Sequence, residues 1–409
     1  MEFLKVDSVE DAREKLLSSA KDWLTPSEAL ALKKASGRIA AEDVNATRDI
    51  PAFRRSMVDG YAVLAADTAA AGESIPVLLA VKGQVQVGTT ASMTISHGEC
   101  VEVPTGGMLP DGADSVVMAE CAEPFDGTGV AVYSSVAGGE NVVQIGEDAK
   151  AGAVLLHRGR RILPQDVGAL AAAGVVILSA YVQPRLTIIS TGDELVPPEK
   201  EPGPGQIRDI NTHALTALAV KCGYSVTGAA VLPDDENALE HALRTAMKTS
   251  DIVTVSGGSS KGPKDMTKAV IERVSSPGVY THGIAMKPGK PTILGFDNPS
   301  RTLLVGLPGH PVSAMMVFEL LLGWLLREMT GCSQAPPIPA RISCNVASSP
   351  GKLTCWPVTL LWTGSEYRAD PVFGKSGLIT TLTAADGYIH VDRGKEGLQS
   401  GQTVFVHQF

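Results

Sequence analysis

The sequence predicts a multidomain α/β plus β protein. It should hold a parallel α/β/α domain, a β-rich inserted domain, a helical/β linking domain and a small C-terminal β domain. Three observations carry that expectation. At 409 residues the chain exceeds what one hydrophobic core usually supports. From about residue 184 to 331, strand-like and helix-like runs alternate, the pattern of a parallel sheet covered by helices. Before and after that stretch, short apolar runs punctuated by Gly, Pro, Asp and Ser indicate β modules.

Taken in order, SVEDAREKLLSSA starts with Ser8 as an N-cap candidate and sets Ala12, Leu16 and Leu17 at helical spacing. EALALKKASGRIAAEDV reads as a second helix. IPVLLAVKGQVQV, ECVEVPTGG and SVVMAE mark the β-rich insertion. DVGALAAAG reads as a helix, followed by two strand-like runs parted by Gln183 and Pro184. RLTIIST, YSVTGAAVL, DIVTVSGG and TLLVGLPG are then strands, and THALTALAVKCG, ENALEHALRTAMK, DMTKAVIERV and a long run after Pro311 are helices. PPIP, at 336–339, reads as a linker. The expected division is 1–47 with 148–183 for the elongated linking domain, 48–147 for the insertion, 184–331 for the α/β/α domain and 332–409 for the C-terminal β domain.

Composition narrows the function. With 44% apolar and 19% charged residues and a net charge of −9, no general nucleic-acid or anionic-membrane surface is expected, so a site for an anion must be locally positive. Six scattered cysteines without a C-x-x-C pair argue for reduced thiols in the cytoplasm. The N-terminus lacks the apolar stretch of an export signal. The run AMMVFELLLGWLLREM is interrupted by Glu319 and reads as a buried helix rather than a membrane span. No H-E-x-x-H motif or Ser/His/Asp order favours a protease, lipase or zinc hydrolase.

In parallel α/β sheets ligands bind beyond the C-terminal strand ends, and four polar loops fall there. VSGGSSKGPKD, holding Gly257, Gly258, Ser259 and Ser260, offers close backbone approach and hydroxyls to a phosphate; a plain turn is the other reading. Asp265 either caps the next helix or helps hold a divalent cation. STGDEL brings Asp193 and Glu194, and LPDDEN brings Asp234 and Asp235, one of which is expected to be an N-cap. GLPGHPVSA carries Pro308, Pro311 and His310, the last read as a turn or capping residue. Lys287 and Lys290, on a proline-restricted loop, suit an anion, although isolated lysines more often face solvent. The acidic groups beside a phosphate cradle suggest Mg²⁺.

RSMVDGYAV, VPTGGMLPDGADSVVM, RGRRILPQDVGALAAAG, ISTGDEL, GQIRDINTHAL, TVSGGSSKGPKDMTK, AMKPGKPT and GLPGHPVSA together resemble, in order and spacing, the molybdopterin molybdenumtransferase family (MoeA, gephyrin E-domain). The likeness spans effectively the whole chain. It implies that the α/β/α domain binds molybdopterin and that the C-terminal domain is barrel-like. The implied activity brings molybdate to adenylylated molybdopterin and cleaves the adenylate with Mg²⁺, releasing AMP and molybdenum cofactor. By position in the motifs, Asp59, Thr105, Asp148, Glu194, Asp234 and Asp265 fall on catalytic positions. Gly257, Gly258, Ser259, Ser260, Lys287, Lys290, Pro308 and Pro311 fall on substrate-binding loops, and Asp234 and Asp265 are the implied Mg²⁺ ligands. The resemblance further implies a homodimer whose site is completed by the second subunit, so that Asp59 and Thr105 act in trans. An upstream adenylyltransferase and downstream apoenzymes or cofactor-modifying proteins are the implied partners. The lysine-rich loop leaves tungstate open beside molybdate, and His310 stands where Asn is frequent in the family. An adenylyltransferase of the related fold would lack the insertion and the C-terminal domain, while a carrier or scaffold role finds no appended linker or tail.

Overall fold

The structure, a computed structural model, describes residues 6–257 and 266–409. The first helix, α1 (Val9–Ala20), begins with a capping box: Asp11 N–H donates to Ser8 Oγ at 3.0 Å and Ser8 N–H donates to Asp11 Oδ2 at 3.2 Å. The second expected helix is instead β1 (Ser27–Ala31) followed by a single 3-10 turn at Leu32–Lys34. Its helix-forming residues are overruled by pairing with a distant strand, 177–181, in which Ser27 faces Tyr181 and Ala31 faces Ile177.

The insertion contains β2 (Gly60–Val63), β3 (Val77–Gln84), β4 (Glu99–Val103), β5 (Ser115–Met118), β6 (Ala122–Phe125) and β7 (Gly129–Val132). They form one sheet in the order β5-β2-β4-β3-β7-β6. Side-chain alternation splits its apolar residues between two small cores: Ala62, Val101, Val103 and Val116 on one face, Val63, Cys100, Val117 and Val130 on the other. After it come α2 (Pro164–Ala172) and β8 (Ile177–Tyr181), the partner of β1. Leu30, Leu156, Leu170 and Leu178 bury the core between them.

The α/β unit runs β9 (Arg185–Thr191), α3 (Asn211–Cys222), β10 (Ser225–Leu232), α4 (Glu236–Ala246), β11 (Ile252–Ser256), α5 (Met266–Val274), β12 (Pro277–His282), β13 (Met286–Lys287), β14 (Ile293–Asp297) and β15 (Thr302–Leu307). It ends in α6 (Pro311–Phe318) and α7 (Trp324–Thr330), joined by one π turn at Glu319–Gly323. The sheet order is β10-β9-β11-β15-β14-β12. The first four strands are parallel, as expected, whereas β14 alone is reversed and pairs antiparallel with both β15 and β12. The segment 298–301 between β14 and β15 is too short for a parallel crossover, which needs about a dozen residues or more.

Alternate positions of the strands feed opposite faces. Leu186, Ile188, Leu303 and Val305 pack with α3, α6 and α7; Ile189, Val253, Val255 and Leu304 pack with α4 and α5. Helix α1 buries Val9, Ala12, Leu16 and Ala20 in the first of these cores, and so packs with the α/β unit although its sequence lies within 1–47.

The C-terminal part contains β16 (Ile338–Ile342), β17 (Leu353–Trp362), β18 (Tyr367–Pro371), β19 (Gly387–Val391) and β20 (Thr403–Gln408). Their pairing closes a five-stranded barrel, β17-β18-β16-β20-β19 and back to β17. Strand β16 begins inside PPIP, so only the first two prolines of that stretch lie outside it. Strand β13 pairs in parallel with β17, Lys287 opposite Thr354, which fastens the α/β unit to the barrel. Among the described residues, no helix is long and apolar enough to cross a membrane.

Candidate active site

The four parallel strands end on one edge, at Thr191, Leu232, Ser256 and Leu307. Between that edge and the barrel lies a cleft of about 1530 Å³. Asn211 ties the strand ends together: its Nδ2 donates to Ser256 Oγ at 2.6 Å and to Gly309 O at 2.8 Å, and Ser256 Oγ donates to Pro308 O at 3.2 Å. Gly257 closes against Thr191 so tightly that a Cβ there would lie 2.3 Å from the Thr191 carbonyl oxygen, and its φ is +115°. Only glycine fits that position without strain.

The acidic side of the cleft is formed by Glu194, Asp209 and Asp234. Asp235 Oδ1 accepts the Ala238 N–H at 2.7 Å and is the N-cap of α4, which leaves the Asp234 carboxylate to the cleft. Partial desolvation and the like charges of Asp193 and Glu194 push the Asp234 carboxyl above its ordinary range. Asp209 is only 4% exposed. Its Oδ1 accepts the Thr212 N–H at 3.2 Å, and its Oδ2 has no hydrogen-bond partner among the described residues.

The cationic side brings Lys287 and Lys290 together with Lys352 and Lys375 from the barrel; Arg208 also lines the cleft. Four lysines line the cleft beside three carboxylates, while the Arg208 guanidinium is paired with Glu201 at 2.6 Å; the lysines supply the positive groups that an anion requires in an acidic chain. His310 occupies the N-cap position of α6, but its side chain does not cap; Nδ1 lies 2.8 Å from Ser376 Oγ across the cleft. Cys355 also lines it, with its thiol pushed up to about 12 by burial, so it supplies no thiolate near neutral pH.

The cleft thus gathers Glu194, Asp234, Gly257, Lys287, Lys290, Pro308 and Pro311 from the expected set. Gly258, Ser259, Ser260 and Asp265 lie outside the described residues. Asp59, Thr105 and Asp148 do not line the cleft and are exposed on their own chain. Asp59 Oδ1 accepts both the N–H and the hydroxyl of Thr105, at 2.7 and 3.0 Å, which holds the Asp59 carboxyl below its usual range. Sequence reasoning passed over Asp209 and Asn211, although both sit in GQIRDINTHAL. It also missed Lys352, Lys375 and Ser376, which carry no local signal and are recruited by the barrel.

Mg²⁺ prefers one or two carboxylates completed by phosphate and water. Among the described residues no compact group of three or more His, Cys, Asp or Glu exists, but Asp234 with Glu194 supplies two carboxylates whose mutual repulsion a cation would relieve. That donor set fits the ion.

Three family models match the chain: the MoeA N-terminal region (domain I and II) over residues 7–174, a "probable molybdopterin binding domain" over 187–328, and the MoeA C-terminal region (domain IV) over 339–409. The molybdopterin molybdenumtransferase of Haemophilus influenzae is 31% identical, covering 98% of each chain. That of Bacillus subtilis is 32% identical over 92% of this chain and 88% of its own. The crystal structure of a molybdopterin biosynthesis MoeA protein from Pyrococcus horikoshii superposes with a TM-score of 0.80 at 30% identity, covering 99% of this chain and 100% of that one.

Proposed function

This chain belongs to the MoeA family and acts in molybdenum cofactor biosynthesis as a molybdopterin molybdenumtransferase; from that premise we propose that its cleft inserts molybdate into adenylylated molybdopterin, with cleavage of the adenylate and release of AMP. The observation that carries the reading is the pairing, in one cleft, of the carboxylates Glu194 and Asp234 with lysines from two different units. Lys287, Lys290, Lys352 and Lys375 hold and neutralise phosphate and oxyanion. Ser376, oriented by His310, adds a hydroxyl. Asp234, with Glu194 and Asp265, would hold Mg²⁺, which supplies charge neutralisation at the phosphates when bound. Asn211 keeps the loops in register so that these groups converge.

Asp59, Thr105 and Asp148 have their place in this reading on the partner subunit's cleft. Their exposure, and the ionised Asp59 held by Thr105, support a shared site in a homodimer. The division into linking, inserted, α/β/α and barrel domains, a cytoplasmic setting, and exchange of substrate and product with an adenylyltransferase and acceptor proteins belong to the same proposal.

The test is AMP release from purified protein given adenylylated molybdopterin and Mg²⁺, with molybdate or tungstate supplied or withheld. Oxyanion-dependent release supports the reading and identifies the metal; tight substrate binding with no release under any condition would replace it with a carrier role.

A further inference from the structure

The carboxylates and lysines account for the charged parts of a substrate, but the cleft also carries one aromatic side chain. Trp356 lines it, its indole fixed by Nε1–H donating to Ala347 O at 3.1 Å. Phe373 meets the indole edge to face, with centroids 5.5 Å apart and planes at 72°, yet is itself 63% exposed. Val372 N–H donates to Pro357 O at 2.9 Å and holds the Phe373 segment against the strand.

The spacing to the cations is informative. Lys287 pairs with Thr354, and Trp356 follows two residues later on the same face of β17, about 6.6 Å along the strand. On the facing segment, Phe373 precedes Lys375 and Ser376. Trp356 thus shares one face of β17 with the position paired to Lys287, and Phe373 lies two residues before Lys375 in the chain. The indole is half-buried, packing against the barrel core and meeting Phe373 edge to face, and a fixed ring at the border of a cleft is suited to stack on a fused heterocycle.

We propose that Trp356, backed by Phe373, is the stacking platform for a fused nitrogen heterocycle of the substrate, whether the adenine of the adenylate or the pterin. The inference rests on the reading of the cleft as the site of a phosphate-bearing substrate, and it makes Trp356 a residue that touches that substrate.

Equilibrium binding to the full chain tests it, with AMP, a pterin monophosphate, ribose 5-phosphate and molybdate as probes, on wild type, Trp356→Leu, Trp356→Phe and Phe373→Ala. The platform requires that Trp356→Leu weaken a ring-bearing probe about tenfold, the size of one aromatic stack, that Trp356→Phe largely restore it, and that Phe373→Ala lose less. Ribose 5-phosphate, which has no ring, should bind all four proteins alike. A loss confined to AMP assigns adenine, and one confined to the pterin assigns the pterin. Unchanged binding of both ring-bearing probes in Trp356→Leu, their failure to bind wild type, or a parallel loss of ribose 5-phosphate would overturn the platform. Molybdate binding separates the two ideas: failure of wild type to bind it counts against the proposed function, whatever the ring-bearing probes do.

Discussion

At the scale of single residues, Asp234 and Gly257 illustrate opposite relations between site and stability. The Asp234 carboxyl is raised by desolvation and by its acidic neighbours, so the folded state takes up its proton more readily than the unfolded chain. Its contribution to stability is present below the unfolded carboxylate value and is lost as pH rises through the raised folded one. At neutral pH the ionised group therefore costs stability. Asp234→Asn should melt at the same temperature as wild type or higher at pH 7 without added cation, with the gap closing as pH falls into the carboxylate range. Under the proposed function the same variant should lose AMP release by at least about tenfold; thermal melts across pH, read beside AMP assays, check both statements. Gly257→Ala has the opposite sign. A methyl group forced to 2.3 Å from the Thr191 oxygen at positive φ should destabilise the fold by about 1–3 kcal/mol, measurable by denaturant unfolding.

At the scale of elements, the site is an agreement among loops rather than the property of any one. Asn211, at the start of α3, bonds to the end of β11 and to the loop after β15. Its removal leaves buried groups unsatisfied, which costs about 1–3 kcal/mol. Asn211→Ala should therefore lose both stability and turnover, with a larger effect on turnover than its melting shift alone explains; parallel melting and AMP-release measurements separate the two. Polar loops after RLTIIST, YSVTGAAVL, DIVTVSGG and TLLVGLPG were legible in the sequence because strand-helix alternation fixes which ends face the ligand. The misread stretch was 28–44, where local helix propensity lost to β1 pairing with β8. Local composition does not encode such a partner some 150 residues away. The Asp234-Asp235 pair was legible only as a choice, which the Asp235 hydrogen bond to Ala238 resolves.

At the scale of the whole molecule, a shared site predicts complementation. Mixing the separately inactive Asp59→Asn and Asp234→Asn chains should create heterodimers with one intact cleft, restoring about a quarter of wild-type sites under random pairing. Absence of any recovery, with heterodimers verified, would place Asp59 outside the partner's cleft. The barrel has its own whole-molecule role. By pairing β17 with β13, it brings Lys352, Lys375, Ser376 and Trp356 to the strand-end edge of a sheet that ends some 50 residues earlier in the chain.

The sequence by itself determined the parallel strand run and its loop ends, the N-terminal cap at Ser8, the buried helical run after Pro311 and the family resemblance, because periodicity, capping and ordered motifs are local or linear properties. Only the tertiary structure decided that Asp235 caps while Asp234 faces the cleft, that 27–31 is a strand, which C-terminal strands pair to close the barrel-like domain that the resemblance implied, and that lysines far apart in the chain share a cleft. These depend on strand pairing and on which surfaces pack together, and the free energy of such long-range contacts belongs to the assembled fold rather than to any segment of it.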